Sequence, residues 1–301
     1  MPHTYSYTCF GLRFISEVKV PEFALYDGGS HDVTIRVNAS VGIGSAREAT
    51  NGASLPCPVR KENEKQTIVS SPGIGFYRID KNVIDCFPEQ GISDEILRLP
   101  LLGVVPSVLC MIRGYIALHA SAVSINGKAV GFLGNKGHGK STLTAHLVKR
   151  GYPLVTDDAL VIRKTREGAW KAVRGPRGIK LWPDVVDEIG CETDYLYSLY
   201  TGSTRQVWSP PNTLSEQDLS LESLYILTFG KISKVSRIGG HELLFSIMSN
   251  DISYRVMRGR QKSWISASLI KQLCENIDVY KIQRRKDIEE IDKTVRYIIG
   301  E

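Results

Sequence analysis

Gly134-Asn135-Lys136-Gly137-His138-Gly139-Lys140-Ser141 is a complete G-x-x-x-x-G-K-S loop, and its flanks decide how it is read. Ahead of it, the apolar run Ala129-Val130-Gly131-Phe132-Leu133 has the composition of a buried strand; behind it, Ser141 to Arg150 reads as a helix. A strand that feeds a glycine loop into a helix start turns several backbone N–H groups toward an anion, aided by the positive end of the helix. In that setting Lys140 reaches the β- and γ-phosphates of a nucleoside triphosphate, and the Ser141 hydroxyl can hold Mg²⁺. The expected nucleotide-binding segment runs from Gly134 through Asn135, Lys136, Gly137, His138, Gly139, Lys140 and Ser141 to Thr142. His138 occupies a variable position of the pattern and reads as incidental.

Outward from the loop, Ala117 to Ile125 looks like a strand, joined to the loop strand by Asn126-Gly127, the strongest short hairpin signal. On the other side, Gly151 ends the helix, Pro153 to Thr156 forms a short strand closed by Asp157-Asp158, and Leu160-Val161-Ile162 opens the next. Leu224 to Phe229 reads as another core strand. Ile288, Ile291, Val295 and Ile298 recur at helical spacing and mark one face of an amphipathic helix. Residues 5 to about 90 alternate in the strand manner, as in Asp32 to Val37 and Phe76 to Asp80, with turn signals at Asp27 to Ser30 and Ser71-Pro72-Gly73. Gly44 to Lys65 reads as a polar loop, and Asp94 to Arg113 as a helical region kinked or broken at its prolines. The expected architecture is α/β: a smaller β-rich N-terminal domain, residues 1–106, ending in a helical segment, then a P-loop nucleotide-binding domain, residues 107–301.

The composition fits a folded protein, with 42% hydrophobic and 23% charged residues in a chain of 301. Met1 to Tyr7 has neither a basic start nor a continuous apolar run, so no secretory signal is expected. The longest uncharged apolar stretch, Leu99 to Ile112, contains Pro100 and Pro106 and is too short to span a bilayer. Six cysteines (Cys9, Cys57, Cys86, Cys110, Cys191, Cys274) form no C-x-x-C pair, which argues against a zinc site or a disulfide framework. A cytoplasmic location with reduced thiols is the expectation. A net charge of +6 is too weak to argue for nucleic acid.

Phosphoryl transfer needs a cradle, a metal, a group that takes or orients the nucleophile's proton, and positive charge on the transferred group. Asp157-Asp158 lies 17 residues after Lys140, at the end of the strand after the loop helix, where carboxylates of open α/β sheets face the ligand. One aspartate can bind Mg²⁺ and the other can accept the proton of an attacking hydroxyl; without the loop, two adjacent acids would read as a turn cap. His119 lies in a small, apolar segment of a strand expected beside the loop strand, so its ring can reach the aspartates; on its own it would read as a structural histidine. His146 reads as surface or core. Two basic clusters, Arg255/Arg258/Arg260/Lys262 and Lys281/Arg284/Arg285/Lys286, read first as solvated faces and helix-end charges, and second as contacts to an acceptor or a phosphate. Lys180 and Arg205 are further candidate phosphate ligands.

Leu118-His119-Ala120-Ser121-Ala122-Val123, Gly134 to Thr142, and Gly151-Tyr152-Pro153-Leu154-Val155-Thr156-Asp157-Asp158 together resemble the catalytic domain of HPr kinase/phosphorylase. More specifically, they resemble the HPr-kinase-like proteins found with lasso-peptide biosynthesis. Phe10 to Glu22, Met111 to Tyr115 and Ile179-Lys180-Leu181-Trp182-Pro183-Asp184 are similar to further segments of that subgroup. The resemblance implies an ATP- and Mg²⁺-dependent phosphotransferase acting on a serine of a peptide or small protein, in the subgroup the serine near the C-terminus of a precursor peptide. Carried over by position, it makes Asp157 the base on the substrate hydroxyl and His119 its hydrogen-bonded helper. It gives Asp158 and Ser141 to Mg²⁺, and Lys140 to the phosphates. It also raises homo-oligomerisation, without deciding it; no nucleic-acid or membrane partner is expected.

The chain departs from HPr kinase proper in ending its loop Ser141-Thr142 rather than serine-glutamate. It also lacks a recognisable glycine-rich signature after the aspartates, where Arg174-Gly175-Pro176-Arg177-Gly178-Ile179-Lys180 is a distant echo. These departures argue against HPr as the substrate and against phosphorolysis. Two alternatives use the same loop: a non-catalytic ATP-binding regulatory protein, tolerant of losing His119 and Asp157, and a small-molecule kinase.

Overall fold

The computed structural model describes residues 3–49, 59–61, 66–211, 218–252 and 267–301. The chain divides into two units, one running up to Ala117 and one formed by Leu118–Asp251 with Ala267–Glu301. The division therefore falls after Ala117 and not between 106 and 107. The helix Val104–Ile112 explains the difference: it buries Val105, Val108, Leu109 and Cys110 and packs on the strand Gly75–Ile79 of the first unit, so a cut at 106 would split one packed element.

The first unit is built on a mixed sheet. Its strand order is Ala24–Leu25, Tyr5–Cys9, Leu12–Ser16, Val33–Val37, Val83–Pro88, Gly75–Ile79, Thr67–Ser71, Val59–Lys61. The predicted alternation holds over Phe76 to Asp80 and at Val33 and Ile35, which are buried, but not at Val37, which is exposed at the end of its strand; the Ser71-Pro72-Gly73 turn joins the hairpin Thr67–Ser71/Gly75–Ile79. Within Gly44 to Lys65, the described residues include a helical turn at Ser45–Glu48 and a strand at Val59–Lys61, where the sequence suggested only loop. The helical region breaks at Gly103 (φ −159°, ψ −87°), between Leu99–Leu102 and Val104–Ile112, and not at a proline. Pro100 and Pro106 each sit in a first turn, where a missing N–H costs no hydrogen bond. Among the described residues no single helix is long and apolar enough to cross a membrane; the stretches Asp94–Leu102 and Val104–Ile112 pass on composition only as a pair, bent by 45°.

The second unit is the α/β part. Three strands run parallel at its centre: Lys128–Leu133, Leu219–Phe229 and Asp278–Arg284. Ala120–Ile125 runs antiparallel beside Lys128–Leu133, joined through Asn126 and Gly127, whose φ values of 51° and 75° are those of a primed hairpin turn. Leu154–Thr156 runs antiparallel beside Ala120–Ile125 in turn. Trp170–Val173 and Leu160–Lys164 extend the sheet past Leu219–Phe229, and Lys234–Arg237 pairs with Asp278–Arg284. The loop helix, Lys140–Lys149, packs against Ala120–Ile125 and the C-terminal helix Ile288–Ile299. Their shared core holds Val123, Phe132, Leu143, Leu147, Leu154, Trp208, Ile291, Val295 and Ile298.

This register decides where chemistry can collect. Ala120 pairs with Leu133, and Ala122 with Thr156, so the start of one strand and the ends of two others lie at the same edge of the sheet. The phosphate loop, His119 and Asp157-Asp158 leave the sheet there. Ligands of open α/β sheets bind at that edge, beyond the carboxyl ends of the parallel strands.

Candidate active site

The loop has its backbone set by two close approaches. Gly134 (φ 145°) leaves no room for a side chain, because a Cβ there would lie 2.8 Å from the Leu227 carbonyl oxygen. Gly139 (φ 80°) precedes the first helical residue, and a Cβ on it would lie 2.4 Å from Arg284 Nη2. Lys140 is buried, and its Nζ donates to the carbonyls of Gly134 (2.7 Å) and Asn135 (3.3 Å), folding the side chain back across the loop. Asn135, Lys136 and Gly137 are exposed at the loop crest; Ser141 and Thr142 are half-buried at the helix start. His138 is not incidental to the loop: its Nδ1 lies 2.8 Å from the Leu227 carbonyl, and its ring meets Phe229 edge-on at 5.4 Å.

The two aspartates face different partners. Asp157 is buried, and its carboxylate is held on both oxygens. Oδ1 accepts from Ser121 Oγ (2.6 Å) and Ser141 Oγ (2.9 Å); Oδ2 accepts from the Lys180 backbone N–H (3.1 Å). Those donors satisfy a group that is costly to bury unpaired. Asp158 has φ 77°, a left-handed conformation that aspartate tolerates better than most residues and that turns its side chain away from that of its neighbour. Its Oδ1 lies 3.2 Å from His119 Nδ1 and its Oδ2 3.3 Å from Lys180 Nζ, with 42% of the side chain exposed. Desolvation opposes its ionisation, but the Lys180 ammonium and the His119 hydrogen bond outweigh it and hold the carboxyl well below the usual carboxylate range. His119 Nδ1 is also 3.1 Å from the Asp158 carbonyl. Both partners are acceptors, which assigns the Nδ1 proton to the ring.

The contacts differ from the pairing that the resemblance implies. Ser141 is bonded to Asp157 and not to Asp158, and His119 meets Asp158 and not Asp157. Spacing along the chain is blind to the difference, because it turns on the single left-handed residue Asp158. Lys180, one of two candidate cations, contacts both carboxylates; the other, Arg205, stacks its guanidinium 4.6 Å over the Trp182 ring. The basic cluster near the C-terminus is dispersed: Lys281 pairs with Glu242, Arg285 with Asp287 and Glu290, Lys286 is exposed, and Arg284 alone reaches the loop. Arg255, Arg258, Arg260 and Lys262 lie outside the described residues, as does Cys57. His146 pairs with Glu188 at 3.1 Å.

Two contributors had no individual signal in the sequence. Ser121 lies in an otherwise apolar segment and reads as part of it, yet it makes the shortest hydrogen bond to Asp157. Asn250 ends the helix Gly240–Asn250, far from every motif. Its Oδ1 accepts from Gly134 N–H (3.1 Å), and its carbonyl accepts from His119 N–H (2.7 Å). That second bond draws His119 out of the ladder and splits the expected single strand into Ile116–Leu118 and Ala120–Ile125.

The hard oxygens Ser141 Oγ and Asp157 Oδ1, adjacent beside a phosphate loop, form a donor set that fits Mg²⁺, which takes one or two carboxylates together with substrate phosphates and water. A glycine loop between a parallel strand and a helix, with a carboxylate on its hydroxyl residue, defines an α/β P-loop nucleotide-binding domain. Within that class the chain is HPr-kinase-like in sequence. It is 48% identical to the HPr kinase/phosphorylase of Caldicellulosiruptor bescii over 52 residues, 17% of each chain. It is 31% identical to that of Chlorobium phaeovibrioides over 117 residues, 38% of this chain and 31% of the relative. The matches span no more than 31% of the length of the curated relatives. No protein-family model matches the chain. The solved HPr(Ser) kinase/phosphatase of Coxiella burnetii aligns over 62% of this chain and 99% of its own at 14% identity, with a TM-score of 0.30, too low to bear on the fold.

Proposed function

We propose that this chain is an ATP- and Mg²⁺-dependent serine kinase that transfers the γ-phosphate to a hydroxyl of a peptide or small protein, with a precursor peptide carrying a serine near its C-terminus as the acceptor. The observation that carries the reading is the divided labour of the two aspartates: one is bonded to the loop serine, and the other stands half-exposed with a histidine and a lysine. A protein that only bound nucleotide would need the first and not the second.

In this reading the loop N–H groups and Lys140 bind the phosphates, and Asp157 with Ser141 would hold Mg²⁺, which when bound neutralises charge on the β- and γ-phosphates. Asp158 receives the acceptor serine. The serine Oγ–P bond forms as the bond from the γ-phosphorus to the β–γ bridging oxygen breaks, ADP leaves, and the serine proton passes to the Asp158 carboxylate and on to solvent. A carboxylate held this acidic is a weak base toward a free hydroxyl. It suffices as an orienting acceptor when the transition state is loose, because the proton departs late. His119 fixes the Asp158 oxygen it touches, and Lys180 supplies charge on the same side.

The test is transfer of labelled γ-phosphate from ATP by the full chain to peptides ending in or near serine, beside matched peptides with alanine there. Label on the serine peptides alone is the expected result. ATP binding without label on any peptide or protein offered would favour the non-catalytic reading, and label on a small alcohol in place of peptide the small-molecule one.

A further inference from the structure

Arg284 is the last residue of the parallel strand Asp278–Arg284 and pairs across the ladder with Phe229, the last residue of its neighbour. It stands at the ligand edge of the sheet, where an arginine is expected to be solvated or paired with an acid. It is neither. The residue is 4% exposed, and its guanidinium lies 5.0 Å over the Phe229 ring. The one hydrogen bond of the guanidinium among the described residues is a long one, Nη2 to the His138 carbonyl at 3.4 Å. No described carboxylate lies within ion-pair distance. Asp287 and Glu290 favour its charge only at range, and Glu290 is bonded to Arg285, Lys293 and Ser233. Burial accordingly pulls the Arg284 pKa below its ordinary value.

A buried cation without a neighbouring counter-ion is costly to a fold and is tolerated where an anion completes it. The direction in which Arg284 points identifies that anion: Nη2 occupies the space that a Gly139 side chain would take, against the one segment whose backbone is arranged for phosphate. The His138–Gly139 peptide, gripped at its carbonyl, has its N–H on the opposite side.

We infer that Arg284 is a positioning residue of the phosphate loop, bracing the His138–Gly139 peptide from behind and supplying a buried positive charge that the polyphosphate of a bound nucleotide completes. This rests on triphosphate binding at the loop, and on no assumption about the acceptor or the chemistry. The role predicts dependence on phosphate number. Phe229 is the platform that holds the guanidinium, and the edge-on contact of His138 with the same ring makes loop, aromatic and cation one packed group.

The test is equilibrium binding of ATP, ADP and AMP to the full chain and to Arg284→Met and Arg284→Lys, with thermal melts on each. Arg284→Met is expected to weaken ATP and ADP by about tenfold to a hundredfold, the range of a charge-assisted contact, with little effect on AMP. Arg284→Lys is expected to recover part of that loss. Equal loss for all three nucleotides, or equal loss in the Met and Lys variants, would show a packing residue only and overturn the inference. If Arg284→Met does not fold, Arg284→Gln, which keeps a polar side chain and removes the charge, decides: a Gln variant with wild-type preference for ATP over AMP rejects the role, and a lowered preference supports it. Wild-type protein that binds ATP but labels no acceptor removes the kinase reading and leaves this one standing. Failure to bind ATP removes both.

Discussion

Asp157 and Asp158 are adjacent in the chain and opposed in surroundings, and one backbone angle separates them. With φ at 77°, Asp158 presents its carboxylate to His119 and Lys180, while Asp157 is enclosed by two serine hydroxyls and a backbone N–H. The pH behaviour follows from the first of these. The folded-state pKa of Asp158 is depressed below an unfolded value of about 3.9, so its contribution to stability is present above about pH 4 and is lost as pH falls through the lower folded value. The partial exposure of its side chain keeps that contribution modest. For phosphoryl transfer, the acidic limb of the rate profile should lie below the ordinary carboxylate range in the wild type. Lys180→Met should move it upward, toward about pH 4. A limb that stays put in the Met variant would remove Lys180 from the electrostatics of Asp158. The sequence made the aspartate pair, His119 and Lys180 legible as candidates, because loop, strand and spacing limit where they stand. It did not show which aspartate met which partner, because a left-handed aspartate leaves no mark in composition or period.

At the scale of elements, strand, loop and helix around Gly134 to Ser141 were readable because each carries a local signal: an apolar run, three glycines, and a helix opened by Lys140 and closed before Gly151. The hairpin at Asn126-Gly127 was readable for the same reason. The break at His119 was not, since its cause is the Asn250 carbonyl, supplied by a helix more than a hundred residues later. Nor was the break at Gly103, because prolines in first turns look like breakers in sequence and are not. Asn250 gives this scale its prediction. Its side chain is the described acceptor for the buried Gly134 N–H, so Asn250→Ala should cost about 1–3 kcal/mol, the penalty of an unsatisfied buried donor. Because that donor opens the phosphate loop, ATP affinity should fall as well. Urea unfolding and nucleotide titration check the two effects. A variant with wild-type midpoint and wild-type affinity would mean that the loop is held by its other contacts, His138 to Leu227 and Lys140 to Gly134 and Asn135.

At the scale of the whole molecule, the order of strands is what converts scattered motifs into one site. Antiparallel pairing of Ala120–Ile125 with both of its neighbours brings the residue before one strand and the residues after two others to a single edge. Parallel pairing of Lys128–Leu133, Leu219–Phe229 and Asp278–Arg284 sets Phe229 and Arg284 beside them. Local patterns supplied most of the strands but not this register, which is a long-range property; hence Arg284 read as one charge in a basic cluster. The N-terminal unit was legible as β-rich from its alternation; the expected boundary at 106/107 and the division after Ala117 differ because a buried helix at the end of one unit and a strand entering the next look continuous in composition. The central claim is that Asp157 serves the nucleotide and its metal while Asp158 serves the acceptor. The most direct measurement compares Asp157→Asn and Asp158→Asn for Mg²⁺-dependent ATP affinity and for γ-phosphate transfer to a serine peptide. Asp158→Asn is predicted to keep the affinity and to lose transfer by about 10²–10⁴-fold, and Asp157→Asn to lose the Mg²⁺-dependent part of the affinity. Wild-type transfer by Asp158→Asn, together with Mg²⁺-dependent affinity intact in Asp157→Asn, would contradict it.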